Sequence, residues 1–90
     1  FYTAAYQGDE VLVSALLQAG CNMDAPEKEG WTPLYAAALH GDERIVELLL
    51  QAGCNKDLAN KEGRTPLYVA AFKGHTQVVS MLLAAGCQKD

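Results

Sequence analysis

Residues Glu29–Asn55 read "EGWTPLYAAALHGDERIVELLLQAGCN", and much of that text returns at Glu62–Cys87 as "EGRTPLYVAAFKGHTQVVSMLLAAGC". The two copies keep one register throughout. Gly20, Gly53 and Gly86 are spaced by 33 residues, as are Gly8, Gly41 and Gly74, the pairs Gly30/Gly63, Thr32/Thr65 and Pro33/Pro66, and the trio Tyr2, Tyr35 and Tyr68. A more divergent third copy precedes them, so the units run 1–33, 34–66 and 67–90 as a single array. Fixed-period self-similarity marks a stack of like units, each too small to bury its own apolar face.

Each unit spells out two short helices. Thr32 suits an N-cap and Pro33 the first helical position, where its missing N–H costs nothing. "PLYAAALH" then forms a helix of about two turns, stopped by Gly41, which can take the left-handed conformation beyond a helix end. Its small residues Ala37 and Ala38 permit close helix contact. Asp42 caps a second helix with Glu43 near its positive end. Ile45, Val46, Leu48 and Leu49 give that helix a broad apolar face ending at Gly53, and Val78, Val79, Met81 and Leu82 repeat it. Between helix pairs, "CNKDLANKEGRT" reads as an exposed, projecting turn, with Gly30 and Gly63 supplying positive φ. Two such turns are expected, centred near Lys28–Glu29 and Lys61–Glu62.

The period, the turn plus two helices, and Thr32-Pro33-Leu34-Tyr35-Ala36-Ala37 with Thr65-Pro66-Leu67-Tyr68-Val69-Ala70 resemble the ankyrin-repeat family over essentially all of the chain. The tetratricopeptide alternative fails on its 34-residue period and its Trp/Gly/Tyr pattern. The resemblance implies an all-α repeat fold: a solenoid of stacked helix pairs with projecting β-turn loops. Three departures stand out. Tyr replaces the family's usual His at positions 2, 35 and 68, so its hydroxyl needs a different partner or the turn is held otherwise. Cys replaces the common Ala after the second-helix Gly, and Asn55-Lys56-Asp57 stands where Asp-Val-Asn is frequent. The first unit also varies, with Ser14 and Ala15 at the positions of Glu47 and Leu48.

Composition excludes several classes of function. Half the residues are apolar and a fifth charged, so the chain is neither disordered nor membrane-spanning. A net charge of −4, with Arg44, Lys61 and Lys73 scattered among acids, argues against nucleic acid. No signal peptide is visible at Phe1. Cys21, Cys54 and Cys87 sit one per unit, without the close pairs that zinc or redox sites need. Stacked units would hold them about 8–10 Å apart, beyond the ~7 Å Cα reach of a disulfide. They read as reduced, buried and unmetallated, in an intracellular, cytoplasmic setting.

No enzyme is expected: phosphate-loop, dinucleotide and zinc-protease motifs are missing, and Asp42, Glu43 and His75 have structural places at helix starts. No cofactor or metal is expected either. The family resemblance implies a protein partner on the concave side, formed by the turns and the exposed side of the first helices. Matched position by position, the binding candidates are Tyr6, Gln7, Leu39, His40, Phe72 and Lys73 on helices, and Lys28, Glu29, Trp31, Lys61, Glu62 and Arg64 on turns. Tyr6, Leu39 and Phe72 would align as an apolar ladder beside a Trp31/Arg64 column, or else merely cover the neighbouring turn and helix stem. The competing reading is a structural spacer of a longer array, or an engineered repeat scaffold with no dedicated partner. Neither end carries a polar cap, so modest stability and end-to-end self-association are expected, as for an excerpt of a longer array.

Overall fold

The computed structural model describes residues 2–20, 30–55 and 58–86. Among the described residues six helices follow in order: α1 (Tyr2–Gln7), α2 (Glu10–Gln18), α3 (Pro33–His40), α4 (Glu43–Gln51), α5 (Pro66–Lys73) and α6 (Thr76–Ala84). Among the described residues there is no strand. The local signals act where the sequence places them. Thr32 and Thr65 accept hydrogen bonds from the N–H groups of Tyr35 and Tyr68, and Pro33 and Pro66 open their helices. Asp9 and Asp42 do the same for Leu12 and Ile45. Gly41 and Gly74 end α3 and α5 at φ 72° and 77°, a region that side chains with a Cβ rarely occupy.

Helices α1, α3 and α5 form one row and α2, α4 and α6 a second, and each helix packs on its counterpart in the next pair. Alanines make the first row possible. Ala4, Ala5, Ala36, Ala37, Ala38 and Ala70 are all buried, so backbones approach without a cavity. The second row contributes Val13, Ile45, Val46, Leu49, Val78 and Leu82. Leu48 and Met81 are only half-buried, so the apolar face of the second helices is narrower than its composition suggests. No helix among the described residues is long and apolar enough to cross a membrane.

His75 precedes α6 but makes no side-chain cap. Instead its Nε2–H reaches back 3.0 Å to the Leu39 carbonyl of the preceding pair. Its ring lies over Gly41, where an added Cβ would stand 2.6 Å from Nδ1. The left-handed stop of α3 and the next pair's His are therefore fitted to each other.

The turn before α5 is organised by Asn60, which is buried. Its Oδ1 accepts from Glu62 N–H and Arg64 N–H, while its backbone pairs with Arg64 and Gly63. The corresponding tip at Lys28–Glu29 lies outside the described residues. Cys54 is buried and forms no disulfide, and Cys21 and Cys87 lie outside the described residues.

Candidate protein-binding surface

Tyr2 and Tyr6, Tyr35 and Leu39, and Tyr68 and Phe72 are each four residues apart on a helix, so each pair lies on one face. In α1 the two rings sit 5.7 Å apart, and in α5 they stack at 6.2 Å with 7° between planes. Trp31, just ahead of the α3 cap, connects the first two pairs. Its ring is 6.2 Å from Tyr2 and 5.0 Å from Tyr35. Tyr6 meets the His40 ring edge-on at 4.6 Å. One helix pair further on, the Arg64 guanidinium lies 5.5 Å over the Tyr68 ring and 3.5 Å from Glu62. Such ring–ring and cation–ring contacts each add a modest attraction beyond area burial.

Tyr35 links the two halves. Its ring belongs to the Trp31 cluster, while its hydroxyl faces the side chains of Asn60 and Arg64 in the following turn, with Glu62 nearby. That turn is the partner its phenol requires in place of the family's His. Even so, Asn60 Nδ2 is left without a hydrogen bond of proper geometry. Burial pushes the Tyr35 phenol above its ordinary 10.0, with Glu62 adding to the rise and Arg64 opposing it. A raised acid pKa means that the folded state holds its proton longer than the unfolded chain. The associated stability is complete below pH ~10 and is lost as pH rises through the folded value. Tyr35→Phe should therefore flatten the alkaline fall in melting temperature relative to the native chain. Parallel melting curves taken above pH ~9 check this.

The candidate residues do not form one uniform strip. Tyr6 and Phe72 are 45 % and 72 % exposed, but Leu39 between them is half-buried, and Tyr6 touches His40. The ladder is thus interrupted at its centre, because the flanking helix pairs crowd the middle one. Side-chain contacts run instead through Tyr6, Tyr2, Trp31, Tyr35, Arg64, Tyr68 and Phe72, with Tyr35 buried and Tyr2 and Trp31 half-buried along the way. Gln7, His40, Lys61, Glu62 and Lys73 are exposed along it, and Lys28 and Glu29 lie outside the described residues. The four-residue offset of Tyr2, Tyr35 and Tyr68 from Tyr6, Leu39 and Phe72 is the sequence signal that places the tyrosine column on the same face.

The opposite row presents a groove of about 410 Å³ between α2 and α4, floored by Ala15 and Leu48 and rimmed by Glu10, Gln18 and Arg44. It opens because Ala15 stands where the other pairs carry Leu48 and Met81. Among the described residues no three His, Cys, Asp or Glu side chains gather closely enough to hold a metal ion.

Stacked helix pairs, joined by a turn that packs on the preceding pair, define a helical repeat protein. The family described as ankyrin repeats (3 copies) matches residues 1–90, and the chain belongs to it. Ankyrin repeats are generally protein–protein interaction modules. No curated protein matches the chain.

Proposed function

We propose that this chain is a binding module with no chemistry of its own, and that a protein partner docks along the aromatic run from Tyr6 to Phe72. The observation that carries this reading is a run of ring and Arg64 contacts spanning all three helix pairs, exposed at Tyr6, Arg64, Tyr68 and Phe72, half-buried at Tyr2 and Trp31, and joined beneath the surface by the buried Tyr35. Aromatic and Arg side chains are the types that dominate binding energy at protein interfaces. Gln7, His40, Lys61, Glu62 and Lys73 supply the polar rim, and Lys28 and Glu29, outside the described residues, are the sequence counterparts of Lys61 and Glu62 one repeat earlier. The acidic balance disfavours nucleic acid, and the thiol of Cys54 suits a reducing, intracellular compartment.

Phe72→Ala and Tyr6→Ala test it, using a peptide selected against the immobilised chain from a displayed library. Losing a true hot-spot ring costs ~2 kcal/mol, or about thirtyfold in Kd. Because both side chains are exposed, melting should hardly change. Gln51→Ala, on the other helix row, should bind normally. Unchanged affinity in both aromatic variants would refute the reading.

A further inference from the structure

The outer side of the second helices is open in every pair, including the middle pair, which its own chain flanks on both sides. Glu10, Glu43 and Thr76, one repeat step apart, are all exposed, as are Val11, Arg44 and Gln77. Helix α4 stands as a ridge between two hollows on this side. One, of about 410 Å³, lies between α2 and α4 over Ala15 and Leu48. The other, of about 390 Å³, lies between α4 and α6, floored by Met81 and edged by Glu43, Glu47 and Gln77. Two features decide what this side accepts. The first is a missing side chain. Where α4 carries Leu48 and α6 carries Met81, α2 carries Ala15. The first hollow therefore lacks one Leu- or Met-sized apolar group, and both of its walls are helices of this chain packed on each other. The second is charge. Glu10, Glu43 and Glu47 share one cation, Arg44, which lies 3.5 Å from Glu10 and 3.2 Å from Glu47. Asp9 and Asp42 add negative charge while capping α2 and α4, and α6 carries no charged residue. Among the described residues the first helices and the turn before α5 have the other sign, with Lys61, Arg64 and Lys73 against Glu62.

We propose that the outer side of α2 and α4 is a second docking surface, and that it takes a basic segment of a partner protein bearing a Leu or Met. The apolar side chain seats over Ala15 against Leu48, and the Lys or Arg side chains lie against Glu10, Glu43 and Glu47. Seating that side chain removes apolar area of both partners from water, which supplies affinity. Charge selects the partner, because an acidic segment would bring like charges together. Phosphate-rich partners are disfavoured for the same reason. The surface lies on the row opposite the aromatic run and stands whether or not that run binds a partner.

Fluorescence anisotropy with a labelled peptide of about 12 residues, one Leu among Lys, Arg and Ser, reads this binding. Native chain in ~50 mM salt should bind it saturably below ~1 mM, and a peptide with Glu for every Lys and Arg should not bind. Ala15→Leu fills the hollow with the residue that α4 carries at the same step, so the fold should hold while affinity falls about tenfold. A peptide with Ala for its Leu should bind native chain about tenfold more weakly, yet bind Ala15→Leu no worse than the parent peptide does. Glu43→Gln combined with Glu47→Gln should lower affinity about fivefold, and this variant carries the test should Ala15→Leu not fold. Far-UV circular dichroism checks folding of both. Absence of saturable binding by native chain overturns the proposal. So does equal affinity for native chain and folded Ala15→Leu, which would leave only undirected charge attraction, and so does unaltered affinity in the double Gln variant.

Discussion

Leu49→Ala should remove about 3 kcal/mol of folding stability, within the 2–5 kcal/mol range for truncating a buried leucine. Leu49 is fully buried in α4, between the second helices of the flanking pairs, so every direction of collapse is already occupied. A domain this small has only ~5–10 kcal/mol in total, so a large part of its stability rests on that side chain. The same deletion elsewhere calibrates the result. Leu16 holds the corresponding place in α2 but is half-buried, and Leu83 in α6 is exposed. Leu16→Ala should cost about half as much, and Leu83→Ala under ~1 kcal/mol. Urea unfolding followed by helix signal measures all three. Equal costs for Leu49 and Leu83 would mean that the helix pairs do not stack as described.

Gly41→Ala should cost ~2–3 kcal/mol, and Gly74→Ala only ~1–2 kcal/mol. Both glycines are left-handed, at φ 72° and 77°, so both substitutions carry the conformational penalty. Only at Gly41 does the new methyl group strike a neighbour, the His75 ring of the next pair. That ring can turn away, but then it releases the Leu39 carbonyl, and a lost hydrogen bond adds about 1 kcal/mol. In a His75→Ala background the excess at Gly41 should vanish. Chemical unfolding of the four chains gives the coupling energy, and a value near zero would contradict the contact between pairs.

Which parts of this architecture could be read in advance follows from how local each determinant is. Thr32, Pro33 and Gly41 act within a few residues, and "PLYAAALH" accordingly becomes α3 with both ends in place. The repeat step does the same for stacking, since a 33-residue period leaves each apolar face no cover but the next unit. Asn60 was not legible. Nothing in its neighbours shows that a turn residue would be buried, because its cover comes from the preceding helix pair. Leu39 is partly exposed as its register predicts, but how far it is covered is set by crowding on both sides. Tyr35 combines the two cases. Its helix face was readable, but its place beside Arg64 and Asn60 depends on how closely the following turn approaches.

Amide chemical-shift mapping of the labelled chain with a selected peptide tests the binding surface most directly. The account predicts shifts at Tyr6, Trp31, His40, Arg64 and Phe72, fading across α2 and α4. Shifts confined to Ser14, Gln18 and Leu48, around the groove on the opposite row, would contradict it.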